Sequence, residues 1–377
     1  MKILVAPDSF KESLSATDVA KAIAEGLSES ISDVDIRCLP LADGGEGTVE
    51  ALTSAMGGSL ETVDVKDPLG RSIQSQWGKI DNLAIIEMAA ASGLELLSAN
   101  ERNPLVADSF GTGQVIIEAI NQGANKIILG LGGSATNDGG AGLLRALGVR
   151  LLNAQGQDIG PGGGALNKLS HIDFKNLHPK VKDIEFAIAC DVTNPLCGDN
   201  GASAIFGPQK GANDTMVEQL DNNLRHFASL LQSRCDIDLL KEPGMGAAGG
   251  LSLGLEAVAK TKRSSGFSLI SSTTGLTEHL QWADLVITGE GKTDHQSLAG
   301  KTCFGVAKQA RQQQTPCIII SGSLGAGYEQ LYQHGVTACF SAAPGPMTLE
   351  NAMQNAYSYL QQTARSIGRM LTINLQR

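Results

Sequence analysis

Short apolar runs alternate with glycine-rich turns and helix-periodic stretches at both ends of the chain. Ile3-Leu4-Val5-Ala6 is a continuous apolar run of buried-strand type. A helix start follows at Ser15, with Asp18 three residues on as a capping pair. Val19, Ile23 and Leu27 then recur at helical spacing. The plan repeats with a strand over residues 36–41, the loop Asp43-Gly44-Gly45-Glu46-Gly47, and a helix carrying Val49, Leu52 and Met56. It returns near the C-terminus. Strands over 285–287, 317–320 and 338–340 lead into Thr288-Gly289-Glu290-Gly291-Lys292-Thr293-Asp294, Ser321-Gly322-Ser323 and Ala343-Pro344-Gly345-Pro346, and a last helix begins near Leu349. Five strands with connecting helices predict an α/β fold, a flavodoxin-like doubly wound parallel sheet interrupted by an inserted second α/β domain. The expected division is 1–60 and 281–377 for the flavodoxin-like domain and 61–280 for the insert.

This arrangement carries a functional expectation. Ligands of open parallel sheets bind beyond the carboxyl ends of the strands. Asp8, Ser9, Lys11, Asp43, Glu46, Glu290, Lys292, Asp294 and Ser321 all follow strands of the outer domain and are expected to share one crevice. The alternative is plain turn chemistry, in which Gly, Asp and Ser are common.

The insert has its own glycine-rich segments. Gly130-Leu131-Gly132-Gly133-Ser134-Ala135-Thr136-Asn137-Asp138-Gly139-Gly140 sits between the apolar run 127–129 and a helical pattern at Leu143, Leu144 and Leu147. Strand, glycine loop and helix start is the construction that cradles an anion with backbone N–H groups. The loop formally contains a dinucleotide fingerprint, but extra residues delay the helix and the next acid, Asp158, lies too far on. Gly291-Lys292-Thr293 and Gly300-Lys301-Thr302 resemble the end of a Walker A loop. The required leading glycine is replaced by Val286 and His295, so neither is a P-loop. Lys292 is expected to meet a phosphate as a point charge, and Lys301 to begin a surface helix. Asp191 and Asn194 follow the apolar run 186–188, and Lys210 sits in the tight loop Phe206-Gly207-Pro208-Gln209-Lys210-Gly211. Gly244-Met245-Gly246-Ala247-Ala248-Gly249-Gly250 opens a helix with Leu251, Leu253 and Leu255, suiting either close packing or an anion site.

Composition narrows the chemistry. At 377 residues with 42% hydrophobic and 18% charged positions, the chain is globular and long enough for two domains. A net charge of −10 argues against nucleic acid or an anionic membrane as partner. Six histidines without metal or triad spacing rank zinc and Ser-His-Asp hydrolase chemistry low. Many carboxylates and few histidines suit phosphoryl transfer, where Mg²⁺ is held by one or two carboxylates plus phosphates. Met1 to Phe10 has no signal-peptide h-region, and the seven cysteines are scattered without a CxxC pair, so a cytoplasmic location is expected.

Whole segments take the assignment further. The stretches Ala6-Pro7-Asp8-Ser9-Phe10-Lys11-Glu12-Ser13-Leu14-Ser15, Ala42-Asp43-Gly44-Gly45-Glu46-Gly47-Thr48 and Ile86-Glu87-Met88-Ala89-Ala90-Ala91-Ser92-Gly93-Leu94 closely resemble the bacterial class I glycerate kinases. So do 130–142, 190–203, 206–212 and 288–291, in order along essentially the full length. The resemblance implies ATP-dependent phosphorylation of D-glycerate to 2-phosphoglycerate and the same interrupted flavodoxin-like fold. The expected mechanism adds Mg²⁺ bound with ATP, in a cleft between two domains that close over the substrates and exclude water. The resemblance departs at Lys292-Thr293, where members of that family often carry arginine followed by an apolar residue. Lysine keeps the charge and loses the bidentate fork.

On this reading Asp43, Asp191 and Lys11 are the candidate catalytic residues. Ser9, Gly132, Gly133, Ser134, Asn137, Lys210, Lys292 and Ser321 are expected to bind phosphate or carboxylate. Asp43, Asp191, Glu290 and Asp294 are expected to hold Mg²⁺. ATP and glycerate are the expected small-molecule partners, and the oligomeric state is left open. A dehydrogenase using the Gly130 loop, and a small-acid sensor without chemistry, are the rivals. The crowded carboxylates count against the sensor, because they repel an anion unless a cation intervenes.

Overall fold

The computed structural model describes residues 1–299 and 302–373, so Lys301 lies outside the described residues. In chain order the principal elements are β1 (Lys2–Val5), α1 (Ala16–Ser28), β2 (Asp35–Cys38), α2 (Thr48–Ala55), β3 (Ser59–Lys66), β4 (Ser72–Ile80) and β5 (Leu83–Glu87). There follow α3 (Phe110–Asn121), β6 (Lys126–Gly130), α4 (Ala141–Ala146), β7 (Glu185–Ala189), α5 (Asp214–Leu231) and β8 (Lys260–Ser264). The last are β9 (Leu285–Thr288), α6 (Thr302–Gln312), β10 (Cys317–Ser321), β11 (Val336–Ser341) and α7 (Ala356–Leu371). The chain divides into two compact units: 1–43 with 50–58 and 267–377, and 44–49 with 59–266.

Unit 1 is built on a five-stranded sheet in the order β11-β10-β9-β1-β2, with every neighbouring pair parallel. This is the flavodoxin-like order. Apart from exposed Lys2 at the start of β1, the central strands are buried along their length, which is why they read as apolar runs. Edge strand β2 is mostly exposed and ends at Cys38, short of the run expected to reach 41. Ser15 caps α1 as its sequence predicts, its Oγ accepting the Asp18 N–H at 3.2 Å. Helix α1 lies directly on α7. A Cβ at Gly26 would stand 2.2 Å from the Gln361 carbonyl oxygen, so only glycine permits the approach.

Unit 2 holds a six-stranded mixed sheet in the order β8-β7-β6-β5-β4-β3. Strands β5 to β8 pair parallel, and β3, β4 and β5 form an antiparallel meander. Its core joins Trp77, Phe186 and Phe227 to aliphatic residues of the sheet and helices.

Both borders differ from those expected. Residues 267–280 belong to unit 1, because the Phe267 ring packs against Gly305 of α6, Ser271 Oγ donates to Gln309 at 3.0 Å, and Thr315 Oγ1 donates to the Leu280 carbonyl at 2.9 Å. Residues 44–49 belong to unit 2. A fragment joining 1–58 to 267–377 through a short linker is expected to keep α/β circular dichroism and one cooperative unfolding transition. Complete loss of structure would show that unit 1 does not fold alone.

Candidate active site

In unit 1 the loops beyond β1, β9, β10 and β11 surround a pocket of about 700 Å³. Backbone bonds carry the parallel pairing past the strand ends: the Ala6 N–H meets the Ile287 carbonyl and the Asp8 N–H meets the Gly289 carbonyl, both at 2.8 Å. Asp8 therefore emerges beside the loop that holds Glu290. Its Oδ1 accepts the Ser9 N–H at 2.7 Å and its Oδ2 accepts the Thr302 hydroxyl at 2.5 Å. Burial, and then the charges of Asp43 and Glu290, outweigh these bonds and raise the Asp8 carboxyl to about 6. Glu290 Oε1 accepts from Thr293 Oγ1 at 2.9 Å and Ser297 Oγ at 2.6 Å.

Two lysines share this pocket. Lys11 is exposed in a tight loop closed by reciprocal backbone bonds between Phe10 and Leu14, with Glu12 at φ 61°. Among the described residues it makes no ion pair. Lys292 stands 63% exposed with its Nζ 3.1 Å from Asp294 Oδ2. The Gln296 N–H, then Lys292, hold the Asp294 carboxyl below the usual carboxylate range. A Cβ at Gly322 would lie 2.5 Å from the Gly291 carbonyl, so these two loops close only with glycine there.

Of the residues expected in one crevice, Asp8, Ser9, Lys11, Asp43, Glu290 and Lys292 line this pocket. Ser321 is buried, and its hydroxyl faces Thr293 Oγ1 at 2.5 Å. Asp294 pairs with Lys292 without lining the pocket. Glu46 belongs to unit 2.

Unit 2 gathers loops at the ends of β5, β6 and β7 with residues 44–49. Gly130 lies so near this segment that a Cβ there would stand 2.8 Å from the Gly44 carbonyl oxygen. Gly132 and Gly133 are exposed, and Gly133 takes φ 70°. The polar side chains that follow turn inward. Asn137 is fully buried and its Nδ2 donates to Ser203 Oγ at 2.9 Å. Lys210, 1% exposed, donates from Nζ to Ser134 Oγ and the Thr136 carbonyl, both at 2.7 Å. Burial lowers its ammonium to about 7, partly offset by Asp138. Ser134, Asn137 and Lys210 thus brace the loop, and Gly132 and Gly133 are its members open to solvent. Asp191 is exposed, and its Oδ1 accepts the Gly266 N–H at 3.0 Å.

Glu87, at the end of β5, was not among the sequence candidates. Its Oε1 accepts the Val49 N–H at 2.7 Å in the first turn of α2. Burial raises its carboxyl to about 7, the Val49 N–H opposing and the Glu46 charge adding to it. The available signal was an acid ending an apolar run. A carboxyl raised in the folded state favours folding below its ordinary pKa of 4.5, and that advantage is lost as pH rises through about 7. Glu87→Gln keeps the acceptor and removes the charge. Its stability is expected to match wild type near pH 4.5 and exceed it by about 2 kcal/mol near pH 8. Urea titrations at the two pH values check this, and a constant difference would refute it.

A metal ion would find no cage here, since among the described residues no group of three His, Cys, Asp or Glu side chains could hold one. The pocket does suit the mode in which Mg²⁺ takes one or two carboxylates plus phosphate oxygens. Asp8, Asp43 and Glu290 line it together, and burial, with the charges of Asp43 and Glu290 adding to it, raises the Asp8 carboxyl.

Comparison with known proteins bears on the whole chain. The family model described as the glycerate kinase family matches residues 3–372. A glycerate 2-kinase of Escherichia coli K12 is 48% identical over 100% of this chain and 99% of its own length. A glycerate kinase of Bacillus subtilis 168 is 46% identical over 97% of each. A crystal structure of a candidate glycerate kinase 2 from Salmonella typhimurium LT2 superposes with a TM-score of 0.88 at 45% identity, covering 98% of both chains.

Proposed function

The chain belongs to the glycerate kinase family, and from that premise we propose that it transfers the γ-phosphoryl group of ATP to the 2-hydroxyl of D-glycerate. The observation that carries the chemistry is the meeting of Asp8, Asp43 and Glu290 with Lys11 and Lys292 around one pocket. The hydroxyl oxygen of glycerate attacks the γ-phosphorus while its proton passes to a carboxylate. The bond from γ-phosphorus to the bridging oxygen breaks, and ADP leaves. Asp43 and Asp191 are the proposed proton acceptors or metal ligands. Asp8, poised near 6, joins them, since a general base works best with its pKa near the working pH.

Lys11 and Lys292 would neutralise phosphate oxygens, and Ser9 offers a hydroxyl beside them. Gly132 and Gly133, both exposed residues, are the proposed backbone donors to a carboxylate or phosphate. Asp43, Asp191, Glu290 and Asp294 are the proposed ligands of Mg²⁺, which when bound would draw charge from the transferring phosphoryl group. The Lys292–Asp294 ion pair means that Asp294 can serve a metal only once that pair opens. A reducing cytoplasm belongs to the same proposal, supported by seven unpaired cysteines. Among the described residues no helix is long and apolar enough to cross a membrane.

The test supplies glycerate, ATP and Mg²⁺ and follows ADP release, then examines the product by phosphorus NMR. A 2-phosphate is expected. A 3-phosphate would overturn the regiochemistry, and absence of turnover the kinase reading.

A further inference from the structure

The pocket of unit 1 is chemically divided. Asp8, Lys11, Asp43, Glu290 and Lys292 form one part of its lining, while Pro346, Met347, Leu349, Ala352, Met353 and the Tyr359 ring contribute a hydrophobic part. A small hydroxy acid such as glycerate carries oxygen on every carbon and has little apolar surface to set against that wall. The volume of about 700 Å³ also falls in the usual ~300–1,000 Å³ of sites for ligands far larger than glycerate. A molecule charged at one end and flat and apolar at the other answers both parts of the lining.

We infer that the pocket of unit 1 is a nucleoside triphosphate site, with the base lying on the wall of Pro346, Met347, Ala352, Met353 and Tyr359 and the phosphates directed to Lys11 and Lys292. This rests on the kinase reading and adds which unit takes the nucleotide. The wall is anchored for that task. Met353 is tied through its carbonyl to Ser13 Oγ at 2.9 Å, and Tyr359 OH donates to Asn351 Oδ1 at 3.2 Å, which fixes the ring at the pocket side. The bond to Ser13 also joins the wall to the loop carrying Lys11, so base and phosphate contacts are held at a set separation. Lys11, without an ion pair among the described residues, keeps its ammonium available to a phosphate.

The test uses the intact chain and two uncharged substitutions at partly buried wall positions, Ala352→Trp to fill the base position and Met347→Asn to make it polar. Calorimetry with ADP is expected to show Kd rising about tenfold or more in each variant, with inorganic triphosphate binding as in wild type because it has no base. In turnover the loss falls on the KM for ATP and spares the KM for glycerate. Unfolding curves near those of wild type establish that both variants fold. Unchanged ADP affinity in two folded variants would overturn the site, as would a loss confined to the KM for glycerate. Wild-type protein that binds ADP with this wall dependence but never phosphorylates glycerate would leave the site standing and remove the kinase reading instead.

Discussion

Asp43→Asn and Asp191→Asn are each expected to lower kcat by about two orders of magnitude or more while changing the KM for glycerate far less. Asp43 lines the pocket of unit 1, and its charge helps to hold the Asp8 carboxyl at about 6. Asp191 belongs to unit 2 and accepts the Gly266 N–H at 3.0 Å. Asparagine preserves an acceptor for such a backbone bond and removes the charge, so it separates chemistry from loop bracing. Steady-state kinetics beside thermal unfolding decide the matter. Two variants with near-normal kcat and reduced stability would reduce both aspartates to loop supports. Loss of kcat in both, with stability unchanged, would support a chemical role for each carboxylate.

Asp138→Ala is expected to cost about 4 kcal/mol of unfolding free energy. Asp138 is fully buried, and Oδ2 accepts the Ser109 N–H at 3.0 Å, the Ser109 hydroxyl at 2.7 Å and the Gly142 N–H at 3.0 Å. Oδ1 accepts the Gly140 N–H at 3.1 Å. Alanine strands all of these donors and leaves buried Lys210 without the carboxylate that opposes its desolvation. Adding Lys210→Met to Asp138→Ala should therefore cost less than the sum of the two single changes. Urea unfolding of the four proteins measures the coupling. A loss below about 1 kcal/mol for Asp138→Ala would show that water replaces the missing acceptor and that the network is not what holds this loop.

Much of unit 1 was legible in the chain because its central strands are buried on both faces and therefore apolar throughout, as at 3–5, 285–287 and 318–320. Glycines mark the turns after them, and Ser15 with Asp18 marks the start of α1. The same logic located Asp8, Lys11, Asp43, Glu290 and Lys292 at one sheet edge, since a parallel sheet delivers all such loops to the same side. Strand β2 was harder, because an exposed edge does not require an apolar run.

Strand ends locate loops but do not orient the side chains on them. Lys210 reads as a phosphate ligand in a tight loop, yet it is buried and bonded to Ser134, 76 residues away. Ser321 reads as a pocket hydroxyl and instead faces Thr293. Asp8 acquires its raised carboxyl from burial and then from Asp43 and Glu290, and its brace from Thr302, 294 positions along the chain. Alone, the sequence determined the family, the sheet type and the side on which its loops collect, because those follow from local pattern and from long ordered matches to relatives. Only the tertiary structure decided which groups are buried, which are paired and which carboxylates are perturbed. Desolvation and Coulomb interactions depend on distance through space, and that distance is set by the packing of segments remote in sequence.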